Sequence, residues 1–353
     1  MRLLTVALLA AIAAPSFGAD AKPADAGELR YRSYRNWKIN LPAEKWFQVN
    51  DGIRIKHADG DKFVAKLDGE RLQFDTDGDG KIDRTIKALV DRDTNVSTSR
   101  VILTGKSANG QPLKYAVRLR KDAKGWEWAP GGAMVGNLET KNGPIPVRIV
   151  DQNGNGRFDD IGQDAMIIGN SDDATFLSQT VLVGKELRKF VVADAGFVTK
   201  PFKGETAKLD VTTSFDSKAV LLTTIVQSKD GKNSFNLAAT KGAATVPAGT
   251  YNVVSGLVGL GKQRVIIANG RMKPIKVAKG EAESIDWGGP VKSEFRYVRV
   301  GGQVQFSPDT VWFYGTAGEE YKGWAPCGKS PEFTVKDKET GNVIEVAILP
   351  GSC

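Results

Sequence analysis

The chain has 353 residues, with 49 Lys and Arg against 41 Asp and Glu for a formal charge of +8, one His and two Cys. A single histidine excludes a histidine-rich zinc site and leaves a catalytic triad just one residue to use. Lysines and arginines are spread among acids along the chain, whereas a nucleic-acid groove wants a concentrated basic face with stacking aromatics, so nucleic acid is not an expected partner.

Residues 1–21, "MRLLTVALLAAIAAPSFGADA", combine the basic Arg2, an apolar run from Leu3 to Ala14 and small residues beyond, the layout of a secretory signal peptide. Cleavage fits after Gly18 or after Ala21, and no cysteine lies near either point to carry a lipid anchor. No later apolar run reaches the roughly 18 to 20 residues that span a membrane. The expectation is a secreted or periplasmic protein with no membrane span.

Beyond the signal, short strand-like runs alternate with turn signals. Asp68-Gly69 in "FVAKLDGERLQF", Asn109-Gly110 in "RVILTGKSANGQPLKYAVRLR" and Asp230-Gly231 in "IVQSKDGKNSFNL" each separate two β-type runs, a strong hairpin signal. Helical periodicity is scarce, and its best candidate, "GQDAMIIG" from Gly162, is short. The class is mainly β and multidomain. A first antiparallel β domain is expected over residues 29–203, a second unit over 204–290 after the Pro- and Gly-containing connection "KPFKGETAKLDV", and a small module over 291–353. In the second unit "ATVPAGTYNVVSG" places Pro247, Ala248 and Gly249 before Thr250 and Tyr251, and this stretch resembles the edge turn of transthyretin-like, or carboxypeptidase-regulatory-like, modules, which implies a β-sandwich.

Two acidic loops carry the functional signal. "FDTDGDGKID" brings Asp75, Asp77, Asp79 and Asp83 into one bend, where like charges about 4 to 6 Å apart repel by tenths of a kcal/mol to a few kcal/mol. A calcium ion, which takes six to eight hard oxygens at about 2.3 to 2.6 Å, would offset that repulsion. Gly80 supplies the sharp turn. The alternation D-x-D-x-D-G resembles the calcium loop of EF-hand proteins, dockerins and thrombospondin type 3 repeats. That resemblance implies side-chain oxygens from Asp75, Asp77 and Asp79, the backbone carbonyl of Lys81, and Asp83 directly or through water. Two departures stand out: the twelfth position is Ile86 instead of a bidentate Glu, and the flanks read as strands instead of helices. Asp91 or Asp93 could complete the shell.

The second loop, "VDQNGNGRFDD", repeats the pattern with Asp151, Asn153, Asn155, Gly156, the backbone of Arg157, then Asp159 and Asp160, with Asp164 as a closing acid. Its first aspartate follows that of the first loop by 76 positions, a spacing that would fit duplicated halves of one β domain, with convergence of two loops as the alternative. Incomplete shells point to weak binding, roughly 10⁻⁴ to 10⁻³ M.

Other motifs read as structure. "GLVGLGKQ" has Gly256, Gly261 and Lys262 in phosphate-loop spacing, but Gln263 stands where Ser or Thr belongs and a strand follows, so a glycine-rich hairpin turn is expected. His57 sits among turn residues and is read as a surface imidazole. Trp126 and Trp128, and the C-terminal group Trp312, Phe313, Tyr314, Tyr321 and Trp324, are read as core before sugar platform. Cys327 and Cys353 are expected to form one disulfide. The resulting function is an exported calcium-binding, non-catalytic binding or structural protein, with envelope polysaccharide or another exported protein as partner. The competing class is an extracytoplasmic polysaccharide hydrolase that uses a carboxylate pair.

Overall fold

The computed structural model describes residues 26–87, 89–90, 97–107, 109–122, 125–193, 196–240, 242–305, 307–323 and 332–348. The signal segment, Asp91, Asp93, Trp324, Cys327 and Cys353 lie outside the described residues. The fold is mainly β, as the alternation of apolar and polar residues requires. It has thirty-five strands, and Pro308–Thr310 is the one helical turn among the described residues. No helix of the described residues is long and apolar enough to cross a membrane.

The chain first builds a five-stranded sheet in the order Phe47–Gln48, Gly125–Pro130, Pro112–Asp122, Ser97–Lys106, Leu89–Val90. Against it stands a four-stranded antiparallel meander, Gly52–Ile53, Phe63–Asp68, Arg71–Phe74 and Arg84–Lys87. Period-two alternation sends Phe63, Leu72 and Phe74 from the meander and Tyr115, Val117 and Leu119 from the sheet into one core, where each is at most 1% exposed. Trp126 and Trp128, each 3% exposed, belong to that core, so neither is a sugar platform.

A second five-stranded sheet runs Arg30–Ser33, Gly132–Leu138, Ile145–Val150, Ala165–Ile168, Thr175–Phe176. One of its faces packs Val147, Ile149 and Met166 against Phe190 and Phe197 of the sheet that joins Ala26–Glu28, Gly196–Pro201, Glu186–Ala193 and Thr180–Val183. The segment "GQDAMIIG" contributes the strand Ala165–Ile168, since both neighbouring strands pair with it. Beyond residue 204, an eight-stranded sheet and smaller ones enclose a core with Trp287, Tyr251, Val253 and Ile267. Strands from both sides of Pro290 share this sheet, because Gln263–Ala268 pairs with Glu320–Lys322.

The hairpin turns follow their glycines. Asp68 pairs with Arg71, so the two-residue turn is Gly69-Glu70, one position later than the Asp-Gly signal suggests, with Gly69 at φ 56°. "GLVGLGKQ" is a hairpin turn: Leu260 pairs with Gln263 and Gly261 takes φ 57°.

Candidate metal centre

The first acidic loop joins the antiparallel strands Arg71–Phe74 and Arg84–Lys87. Asp75, 1% exposed, organises it by accepting the Gly78 N–H at 2.7 Å on Oδ1 and the Gly80 N–H at 2.8 Å on Oδ2. Asp77 Oδ1 accepts the Asp79 N–H at 3.2 Å and Asp79 Oδ1 accepts the Lys81 N–H at 2.8 Å, so successive side chains turn the backbone around one centre. Gly78 and Gly80 take φ 80° and 84°, a region that side chains with Cβ adopt at a cost. Asp83 reaches back to accept from the Thr76 N–H and from Thr76 Oγ1, the latter at 2.8 Å. The bend is tied to the adjoining sheet by the Thr104 N–H, which donates to the Thr76 carbonyl at 2.8 Å.

One carboxylate oxygen from each of Asp75, Asp77 and Asp83 lies within 4.8 Å of the others, and among the described residues this is the one such cluster. Two oxygens bound to the same calcium at about 2.4 Å can be no more than about 4.8 Å apart, so the triangle fits the ion's reach. Asp79 stands outside it, with Lys81 Nζ 3.9 Å from its Oδ2. Beneath the loop lies His57, 5% exposed, which corrects its reading as a surface group. Its Nε2 is 3.0 Å from the Lys62 carbonyl, and its ring centroid is 4.5 Å from that of Phe63. The imidazole is a floor for Gly78.

The second loop joins Ile145–Val150 to Ala165–Ile168 and repeats the same hydrogen-bond scheme. Asp151, with no exposed surface, accepts the Gly154 N–H at 2.8 Å and the Gly156 N–H at 2.6 Å. Asn153 and Asn155 use Oδ1 to accept the N–H groups of Asn155 and Arg157, as Asp77 and Asp79 do in the first loop. The loops differ in what occupies the centre. With both Oδ1 atoms turned to the backbone, the Nδ2 groups of Asn153 and Asn155 point inward and donate to Asp160 Oδ2 at 3.0 and 2.5 Å. Those amides give the loop two donors of its own. Asp159, the counterpart of Asp83, is taken by the Arg157 guanidinium at 2.9 and 3.0 Å.

Two buried acids complete the second loop. The Tyr115 hydroxyl donates to Asp151 Oδ2 at 2.7 Å from a strand 36 positions earlier. Burial nevertheless pushes Asp151 up to about 6, against the pull of Tyr115 and the backbone N–H donors. Asp164, also without exposed surface, is pushed up to about 8 by burial and then by the charge of Asp151. Its Oδ2 accepts the Asp160 N–H at 3.0 Å, while its Oδ1 is buried with no partner. A carboxyl that holds a proton at neutral pH has general-acid chemistry, but neither Asp151 nor Asp164 offers surface to a substrate. The sequence gives no local sign of the Tyr115 contact, since it depends on how two sheets meet.

No family model, curated protein or solved structure matches the chain.

Proposed function

We propose that the chain is an exported, non-catalytic binding or structural protein of the cell envelope or extracellular space, in which calcium stiffens the first acidic loop. One observation carries this reading: three carboxylates whose oxygens lie within 4.8 Å of one another, on a loop already closed by backbone N–H groups that donate to Asp75. Three clustered negative charges cost free energy in the bare protein, and a divalent cation removes that cost. Asp75, Asp77 and Asp83 are the ligands available without rearrangement. Asp79 would join by releasing Lys81, and the Lys81 carbonyl would fill the position that the loop pattern implies. The second loop can accept an ion only if the Asn153 and Asn155 amides turn over, so its site is the weaker. The ion in either loop has a mechanical role.

Titration calorimetry with calcium, paired with thermal melts, tests this. The expected result is a dissociation constant of about 10⁻⁴ to 10⁻³ M and a melting temperature that rises with calcium. Asp77→Ala should melt lower than the parent in calcium and match it in chelator. An equal drop in chelator would show that Asp77 serves the fold and not an ion.

A further inference from the structure

The outer face of the first five-stranded sheet carries a stacked row of cations and rings. On the strand Pro112–Asp122, Val117 and Leu119 point into the core, so Arg118 and Arg120 point out. After the strand Arg30–Ser33, which belongs to the second sheet, the chain packs Tyr34, Trp37, Ile39 and Leu41 on that sheet, and Trp37 and Trp46 reach the arginines of the first. Arg32 Cζ is 5.6 Å from the Tyr34 ring centre, and Tyr34 meets Trp37 edge to face at 5.9 Å. Arg118 Cζ lies 4.1 Å from Trp37 and 5.0 Å from Trp46, and Arg120 Cζ lies 4.3 Å from Trp46. The order is therefore Arg32, Tyr34, Trp37, Arg118, Trp46, Arg120, with guanidinium groups on the indole faces.

The charge of this row is unbalanced. Glu44 pairs with Arg118 and Glu127 with Arg120, each at 2.6 Å. Arg32, Arg35, Lys38 and Lys45 are exposed, and no carboxylate among the described residues pairs with them. Residues 30–46 hold five cations and one acid, a net +4 in a chain whose total is +8. The nearby Arg100 Nε and Trp37 Nε1 are buried donors without acceptors. Buried donors normally have partners, so this face is short of negative charge and of acceptor oxygens.

We propose that the segment Arg30–Trp46, which borders this row, is a docking site for an anionic polysaccharide, a polymer of uronate type whose carboxylates meet its exposed cations Arg32, Arg35, Lys38 and Lys45. Guanidinium groups already lie over both indoles, and both rings are only partly exposed. Charge is what the surface offers. The proposal deepens the binding-module reading by naming its partner class, but it does not depend on calcium.

The test uses the whole mature protein in EDTA, so that calcium bridging of the polymer plays no part and a failure of the loops to bind calcium leaves the result unaffected. Polygalacturonate, dextran and oligothymidylate are titrated at low and high salt against the parent and two variants. One variant is Arg32→Ala/Lys38→Ala/Lys45→Ala. The other, Lys208→Ala/Lys262→Ala/Lys276→Ala, removes the same charge from exposed positions elsewhere. The expected result is binding of polygalacturonate that weakens with salt, no binding of dextran, and a loss of about tenfold or more confined to the first variant. Three results would overturn the proposal: no polygalacturonate binding at low salt, equal losses in both variants, or tighter binding of oligothymidylate than of polygalacturonate.

Discussion

Replacing Asp164 by Asn should stabilise the protein at high pH and leave it nearly unchanged at low pH. The folded state lifts this carboxyl from 3.8 to about 8, first through burial and then through the charge of Asp151. The folded pKa therefore lies above the unfolded one. As pH rises from about 4 to about 8, the unfolded chain sheds this proton before the folded protein does, so stability falls across that window. At about 1.4 kcal/mol per unit, the displacement sets a ceiling of about 6 kcal/mol, and relaxation and water entry reduce the expected effect to about 2 kcal/mol. Asn keeps an oxygen for the Asp160 N–H and places an amide where Oδ1 has no acceptor role to fill. Urea unfolding in EDTA at pH 5 and pH 8.5 reads the effect directly. Asp164→Asn should gain about 2 kcal/mol at the higher pH, or roughly 5 °C in melting temperature. A loss of similar size at both pH values would show that the carboxylate is stabilising and that the argument from burial is mistaken.

Gly78→Ala puts a Cβ 2.9 Å from His57 Nδ1 at φ +80°, whereas Gly69→Ala at φ +56° meets nothing within 4 Å. Thermal melts should show the first costing about 2 kcal/mol and the second about 1 kcal/mol, and equal costs would remove the imidazole as a steric floor. Asn153→Asp/Asn155→Asp replaces two donors to Asp160 with two more carboxylates. The double variant should lose about 2 kcal/mol in chelator, recover with calcium and bind the ion more tightly by calorimetry, whereas an unchanged affinity would mean that the second loop does not close on metal. In sequence Cys327 comes five residues before Glu332 and Cys353 five after Ile348, and Glu332 and Ile348 pair across a hairpin. Alkylation and mass measurement should find no free thiol, and reduction should cost about 3 kcal/mol; two alkylated cysteines would refute the bridge.

The β class was legible because it rests on local chemistry. Alternating apolar residues in "FVAKLDGERLQF" and left-handed glycines at Gly69, Gly110, Gly231 and Gly261 are properties of short windows, and the hairpins form at or within a residue of them. The mutual placement of the hairpins was not legible. Nothing near Gln263 announces that its strand pairs with Glu320–Lys322, because that partner is set by burial of Tyr321 in the core around Trp287 and Tyr251. His57 misled for a related reason: its turn-forming neighbours suggest solvent, while Phe63 in the following strand and Gly78 in the acidic loop enclose it.

The two acidic loops show where a motif stops being informative. Each follows the same alternation, and each winds its backbone through the same Asx hydrogen bonds onto a buried first aspartate, so the spacing dictates the bend. Charge dictates what the bend encloses. Asp75, Asp77 and Asp83 bring three carboxylates within 4.8 Å of one another, whereas amides at Asn153 and Asn155 supply donors of their own and close on Asp160. An Asp-to-Asn change preserves the turn because Oδ1 still accepts the backbone N–H. It alters the centre because the second oxygen becomes a donor. The first loop thus gathers three carboxylates and the second supplies amide donors to its own acid, a distinction written in single side chains of two otherwise equivalent bends.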